Sequence, residues 1–172
     1  MIVTRAYVLL AATISVLLAM PVCSRAGSFA EGVVEATKPA IAVGVAAAYL
    51  GAKDSPEGLA RAARTADAAL VSYAIAETLK PNLVVNKDRS FRHSFPSGHT
   101  TVAFATASSL ADIYPKQKWL LYAGAGLVGW STVDVNGHTW ADVAAGAVLG
   151  TAVGKWSISS PNGLMIGRVF RY

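Results

Sequence analysis

The chain has 172 residues, enough for one domain with a real core, and it is 53% hydrophobic but only 15% charged, with a net charge of +5. Its basic residues are scattered without a Lys/Arg run, which excludes a nucleic-acid footprint, and the lone Cys23 excludes an internal disulfide. Cys/His clusters with metal-ligand spacing are absent from the sequence.

Alanine and glycine are abundant, and the long apolar runs are helix-like. An all-α bundle of about five helices is expected, exported or membrane-associated. Residues 1–26 read as a signal peptide or signal anchor: Arg5 is the positive start, Ala6 to Met20 the apolar stretch, and Ser24-Arg25-Ala26 a small-x-small cleavage site. Residues 27–156 then form the helical domain and 157–172 a C-terminal tail.

Residues 27–38 are polar, and Pro39 to Ala52 is a short apolar segment of Ala, Gly, Val and Ile. Lys53 to Gly58 is a loop broken by Pro56 and Gly58. Leu59 to Leu79 is predicted helical, with Leu59, Ala63, Ala66, Leu70, Ala74 and Leu79 near a 3.6-residue period. Its Asp67 and Glu77 read as solvated or paired charges without a catalytic part. Lys80 to Phe95 is a cation-rich loop. Lys80 suits either the negative end of the preceding helix or a bound anion.

The stretch Ser94-Phe95-Pro96-Ser97-Gly98-His99-Thr100 opens the next helix, predicted over Gly98 to Tyr114. Pro96 and Ser97 are good helix-start residues, Gly98 lets backbone approach a ligand, and the open N–H groups of such a turn attract phosphate. Pro115 to Lys118 is a turn, and Trp119 to about Val133 is the most lipid-like segment. Asp134 to Gly137 is a loop. His138 to about Lys155 is predicted helical, which would put His138 and Asp142 on one face, four apart. Gly146, Gly150 and Gly154 form a stripe for close helix contact. In the tail, Pro161-Asn162-Gly163 is a turn signal between Trp156-Ser157-Ile158-Ser159 and Leu164-Met165-Ile166, so a short β-hairpin is expected. If the first segment starts on the inner side of a membrane, both histidine stretches fall outside, while Lys53, Arg61, Arg64, Lys116, Lys118, Lys155, Arg168 and Arg171 fall inside.

The three histidines, His93, His99 and His138, all lie in or next to these two polar stretches. Phosphoryl transfer to a side chain needs an in-line nucleophile, donors for the equatorial oxygens and an acid for the leaving oxygen. A histidine oriented by a carboxylate suits the first role, as His138 with Asp142. A second histidine suits the last, as His99. Ser97, the Gly98 amide, Lys80 and a nearby arginine are candidate donors.

The pattern resembles the type 2 phosphatidic acid phosphatase (PAP2) superfamily, which includes bacterial acid phosphatases and vanadium haloperoxidases. That family's signature has three parts: Lys-x6-Arg-Pro, Pro-Ser-Gly-His and Ser-Arg-x5-His-x3-Asp. Here the second part is intact as Pro96-Ser97-Gly98-His99. The third reads Ser131-Thr132, then His138 and Asp142 at the family spacing. The likeness runs from about Leu59 to Gly154.

Two departures affect phosphate-binding cations: Thr132 stands where the family has arginine, and Lys80 is followed six residues on by Lys87-Asp88, with Arg89-Ser90 displaced by two. The resemblance implies a metal-independent phosphatase without a cofactor. His138 would be the nucleophile, His99 the acid and then base, and Asp142 the orienting group. Lys80, Arg89, Ser97 and Gly98 would hold phosphate. The apolar composition favours lipid phosphates or diphosphates as substrates and a membrane or membrane surface as the setting, with the site on the extracytoplasmic side. Thr132 motivates a second expectation, a catalytically impaired relative that binds phosphate or phospholipid headgroups.

Overall fold

The computed structural model describes residues 29–52, 58–83, 93–135, 137–161 and 163–165. The expected export segment, Arg89 and the end of the tail lie outside these residues. Among the described residues five α-helices form the bundle: α1 (Phe29–Ala52), α2 (Gly58–Leu79), α3 (Gly98–Ile113), α4 (Lys118–Asp134) and α5 (Trp140–Ser159), with a 3-10 turn at Pro115–Gln117 before α4. Among the described residues there is no strand, and no helix is long and apolar enough to cross a membrane.

Residues 29–38, expected to lie outside the first helix, form its opening turns. Ala30 and Val33 are buried there while Glu31 and Glu35 are exposed, so the two acids occupy the outer face of the helix. The expected hairpin is also replaced. Trp156 to Ser159 continues α5, because Ser157 docks on α2 and donates to the Arg64 carbonyl at 2.8 Å. The turn itself forms: Gly163 takes the left-handed φ of 61° that glycine permits, and its amide donates to the Ser160 carbonyl. Leu164 and Met165 then donate their amides to the Asp67 carboxylate instead of to a partner strand, and Arg64 donates to the Pro161 carbonyl at 3.0 Å.

Helix α3 is central, touching each of the other four, and packs most extensively on α5. The glycine stripe explains how. A Cβ at Gly146 would lie 2.8 Å from the Ser97 carbonyl oxygen, one at Gly150 2.1 Å from that of Thr101, and one at Gly154 2.6 Å from that of Ala105. Each step of four along α5 matches a step of four along α3. The two helices therefore run parallel at backbone contact, with their N-termini side by side. The core is correspondingly built of small side chains such as Ala68, Ala76, Ala105, Thr101 and Ser109, while bulky Trp119, Trp130, Trp140 and Trp156 face outwards.

Candidate functional site

At one end of the bundle the N-termini of α3 and α5 meet the C-termini of α2 and α4. Four elements deliver the predicted residues there. Ser97 caps α3, accepting from the Thr100 amide at 3.5 Å and from the Thr100 hydroxyl at 3.0 Å. It is fully buried, and its own amide donates to the Asp142 carbonyl at 3.0 Å, tying the two helix starts together. Gly98 and His99 form the first turn of α3. Lys80 follows the end of α2 and lies over Gly98: a Cβ there would stand 3.5 Å from Lys80 Nζ and 3.2 Å from Glu77 Oε1. Lys80 is ion-paired with Glu77, and its carbonyl is 3.5 Å from His93 Nδ1.

His138 does not lie on a helix with Asp142. Helix α5 starts at Trp140, with Thr139 as its N-cap, and Thr139 and Asp142 form a capping box. The Thr139 amide donates to Asp142 Oδ2 at 2.8 Å, and the Asp142 amide to the Thr139 hydroxyl at 3.4 Å. A Thr-x-x-Asp motif carries this signal in the sequence, one residue after His138. The Ser94 hydroxyl also donates to Asp142 Oδ2, at 2.8 Å. Ser94 thus anchors the carboxylate, a role that spacing alone did not show because Ser94 is distant in sequence.

His138 nonetheless comes to Asp142 from the preceding loop. Its Nδ1 is 3.8 Å from Asp142 Oδ2, an ion-pair distance and too long for a hydrogen bond. That nitrogen is buried and has no hydrogen-bond partner. The loop is held by Thr132, whose carbonyl accepts from the amides of Gly137 and His138, both at 3.1 Å. The Thr132 side chain is buried and donates to the Gly129 carbonyl at 2.8 Å. The residue at the family's arginine position therefore supports the histidine loop through its backbone, while its hydroxyl turns back into α4.

The His138 pKa is lowered from its ordinary 6.5, chiefly because burial removes the water that would solvate the imidazolium. Asp142 opposes this shift, the positive charges of Lys80 and His99 add to it, and the Ser94 backbone beside the ring opposes it. Lys80, His99, His138 and Asp142 thus interact within one electrostatic neighbourhood, next to Ser97 and Gly98. Six of the seven predicted site residues are together, and the seventh, Arg89, lies outside the described residues. At neutral pH His138 is held unprotonated with a lone pair available, beside two helix N-termini that attract anions.

An unprotonated histidine, a second histidine and a lysine around two helix N-termini form an arrangement suited to an anion such as phosphate. The family comparison agrees with that arrangement. Residues 59–165 match the model of the PAP2 superfamily, and the chain belongs to that superfamily. Membership supports phosphatase-type chemistry on phosphate esters. Neither a search of curated proteins nor one of solved structures found a match.

Proposed function

We propose that this protein is a metal-independent phosphatase that removes phosphate from lipid phosphates or diphosphates through a phosphohistidine intermediate. The observation that carries the reading is the His138–Asp142 pair at the convergent N-termini of α3 and α5. With Nδ1 facing Asp142, Nε2 is the nitrogen that attacks phosphorus. The ester bond breaks as the Nε2–P bond forms, and His99 gives its proton to the leaving oxygen. His99 then takes a proton from water, which attacks the phosphohistidine and frees His138 and inorganic phosphate. Asp142 stabilises the charge on the ring as the bond forms. The 3.8 Å separation closes to a hydrogen bond when substrate arrives, since catalytic contacts tighten in the reacting complex. Lys80, the Gly98 amide, Ser97 and Arg89 receive the phosphate oxygens.

Lipid is the favoured substrate because the site is rimmed by exposed apolar groups. Tyr73 lies against Gly98, Trp140 opens α5 beside Thr139, and both are exposed, as is Leu83 three residues after Lys80. Such a rim suits acyl or polyprenyl chains. Export with the site on the extracytoplasmic side accords with the N-terminal signal features. The buried Thr132, which presents no cation, favours the second reading, a phosphate- or headgroup-binding relative without turnover.

The deciding experiment is phosphate release in EDTA by wild type and His138→Ala. The substrates are phosphatidate, a polyprenyl diphosphate, lipid A and p-nitrophenyl phosphate. Turnover by wild type that disappears in the variant supports the histidine mechanism and names the substrate class. Phosphate binding with equal background release in both proteins supports the binding relative.

A further inference from the structure

Glu77 belongs to the site that its sequence context placed it outside. It lies in the last turn of α2, the negative end of that helix's dipole, where a carboxylate is disfavoured. Two neighbours offset this. Lys80 is ion-paired with it, and the start of α3 faces it, with Glu77 Oε1 3.2 Å from where a Gly98 Cβ would be. That is closer than Lys80 Nζ, at 3.5 Å. A carboxylate therefore lies beside the first residue of the helix whose open amides draw anions. It also occupies a donor of the lysine that would hold phosphate. Because Glu77 is only half-buried, its side chain has room to turn away.

We propose that Glu77 is an internal competitor for the phosphate subsite. This deepens the phosphatase reading and rests on it. In the resting protein the Glu77 carboxylate is paired with Lys80, and both groups lie beside Gly98 at the start of α3. An incoming phosphate displaces it to gain Lys80 and the Gly98 amide. A dianionic terminal phosphate outweighs one carboxylate in that exchange, whereas a monoanionic diester does not. Glu77 thus biases the site towards terminal phosphates and against diesters.

The test is binding of inorganic phosphate, by calorimetry near neutral pH, to wild type, Glu77→Gln, Glu77→Ala and Lys80→Met, and to the Glu77→Gln/Lys80→Met double variant. Thermal melts check that each is folded. Removing a like charge a few ångströms from the ligand is expected to tighten binding about tenfold in both Glu77 variants. The gain should be smaller when the double variant is compared with Lys80→Met, because no lysine is then released. Equal or weaker binding in both Glu77 variants, with phosphate still bound by wild type, overturns the competitor and leaves the phosphatase reading standing. Weaker binding would mean that Glu77 holds Lys80 in place. No phosphate bound by any of the proteins overturns both readings.

Discussion

Asp67 and Asp142 are both buried, at opposite ends of the same bundle, and both accept backbone amides. At Asp67 the amides come from Leu164 and Met165, so the carboxylate fastens the segment after α5 onto α2. At Asp142 the amide is that of Thr139 in its own capping box. That carboxylate also receives the Ser94 hydroxyl and stands 3.8 Å from His138. The chemical group is the same in both places, and the neighbours divide the roles. Asp67 holds a chain segment together. Asp142 does similar work and in addition faces a titratable nitrogen at an anion-attracting helix end.

The largest effect that would sharpen this contrast is at the histidine. His138→Ala is expected to lower phosphate release by about 10⁴-fold or more, as loss of a nucleophile does, read in a steady-state assay. Asp142→Asn keeps the shape but removes the charge behind the ring, and a loss of about 10²-fold or more in kcat is expected. Asp67→Asn, in the same assay, should leave kcat near wild type. It should lower stability by about 1–2 kcal/mol through weakened acceptance of two amides, visible in urea unfolding. A kcat loss at Asp67 equal to that at Asp142 would dissolve the distinction between the two ends.

Backbone packing provides the next test. Gly150→Ala puts a methyl 2.1 Å from the Thr101 carbonyl and forces α5 away from α3. A destabilisation of about 1–3 kcal/mol is expected, accompanied by lost activity because the same contact aligns the two helix starts. Gly126→Ala, on α4 with nothing near its Cβ, should stabilise the fold by up to about 1 kcal/mol.

The smallest effect concerns pH. Because the His138 pKa is lowered on folding, the unfolded chain takes up that proton first. The stability that depends on neutral His138 is complete above its unfolded value near 6.5 and is lost as pH falls through the lower folded value. Activity that depends on the unprotonated ring should fall over the same acid range. Melting temperatures from pH 7.5 down to pH 4.5, wild type beside His138→Gln, would show a steeper acid decline in wild type. Parallel curves would mean that His138 is not the group responsible.

Much of this was legible in the sequence. Ser97 as a helix start, His99 in the first turn, the glycine stripe and the end of α2 before Lys80 are local signals, set by capping chemistry, glycine spacing and periodicity. Three features differ in the structure, two because a tertiary contact outweighed a local preference and the third because a local capping box set the helix start. Residues 29–38 looked too polar for a helix until Ala30 and Val33 found a face to bury. Trp156 to Ser159 looked strand-like until Ser157 docked on α2. His138 and Asp142 looked like partners on one helix, whereas Thr139 starts the helix between them.

The sequence by itself determined the family, the all-helical class and the residue types at the site, because motifs and periodicity are properties of neighbours along the chain. Only the tertiary structure decided that Ser94 anchors Asp142, that Thr132 carries the His138 loop by its carbonyl, and that Glu77 lies over Gly98. Each of those contacts joins segments from different helices or loops. Ser94 meets Asp142 because α3 and α5 pack in parallel at backbone distance, and Glu77 meets Gly98 because α2 packs on α3, geometry that spacing along the chain does not encode.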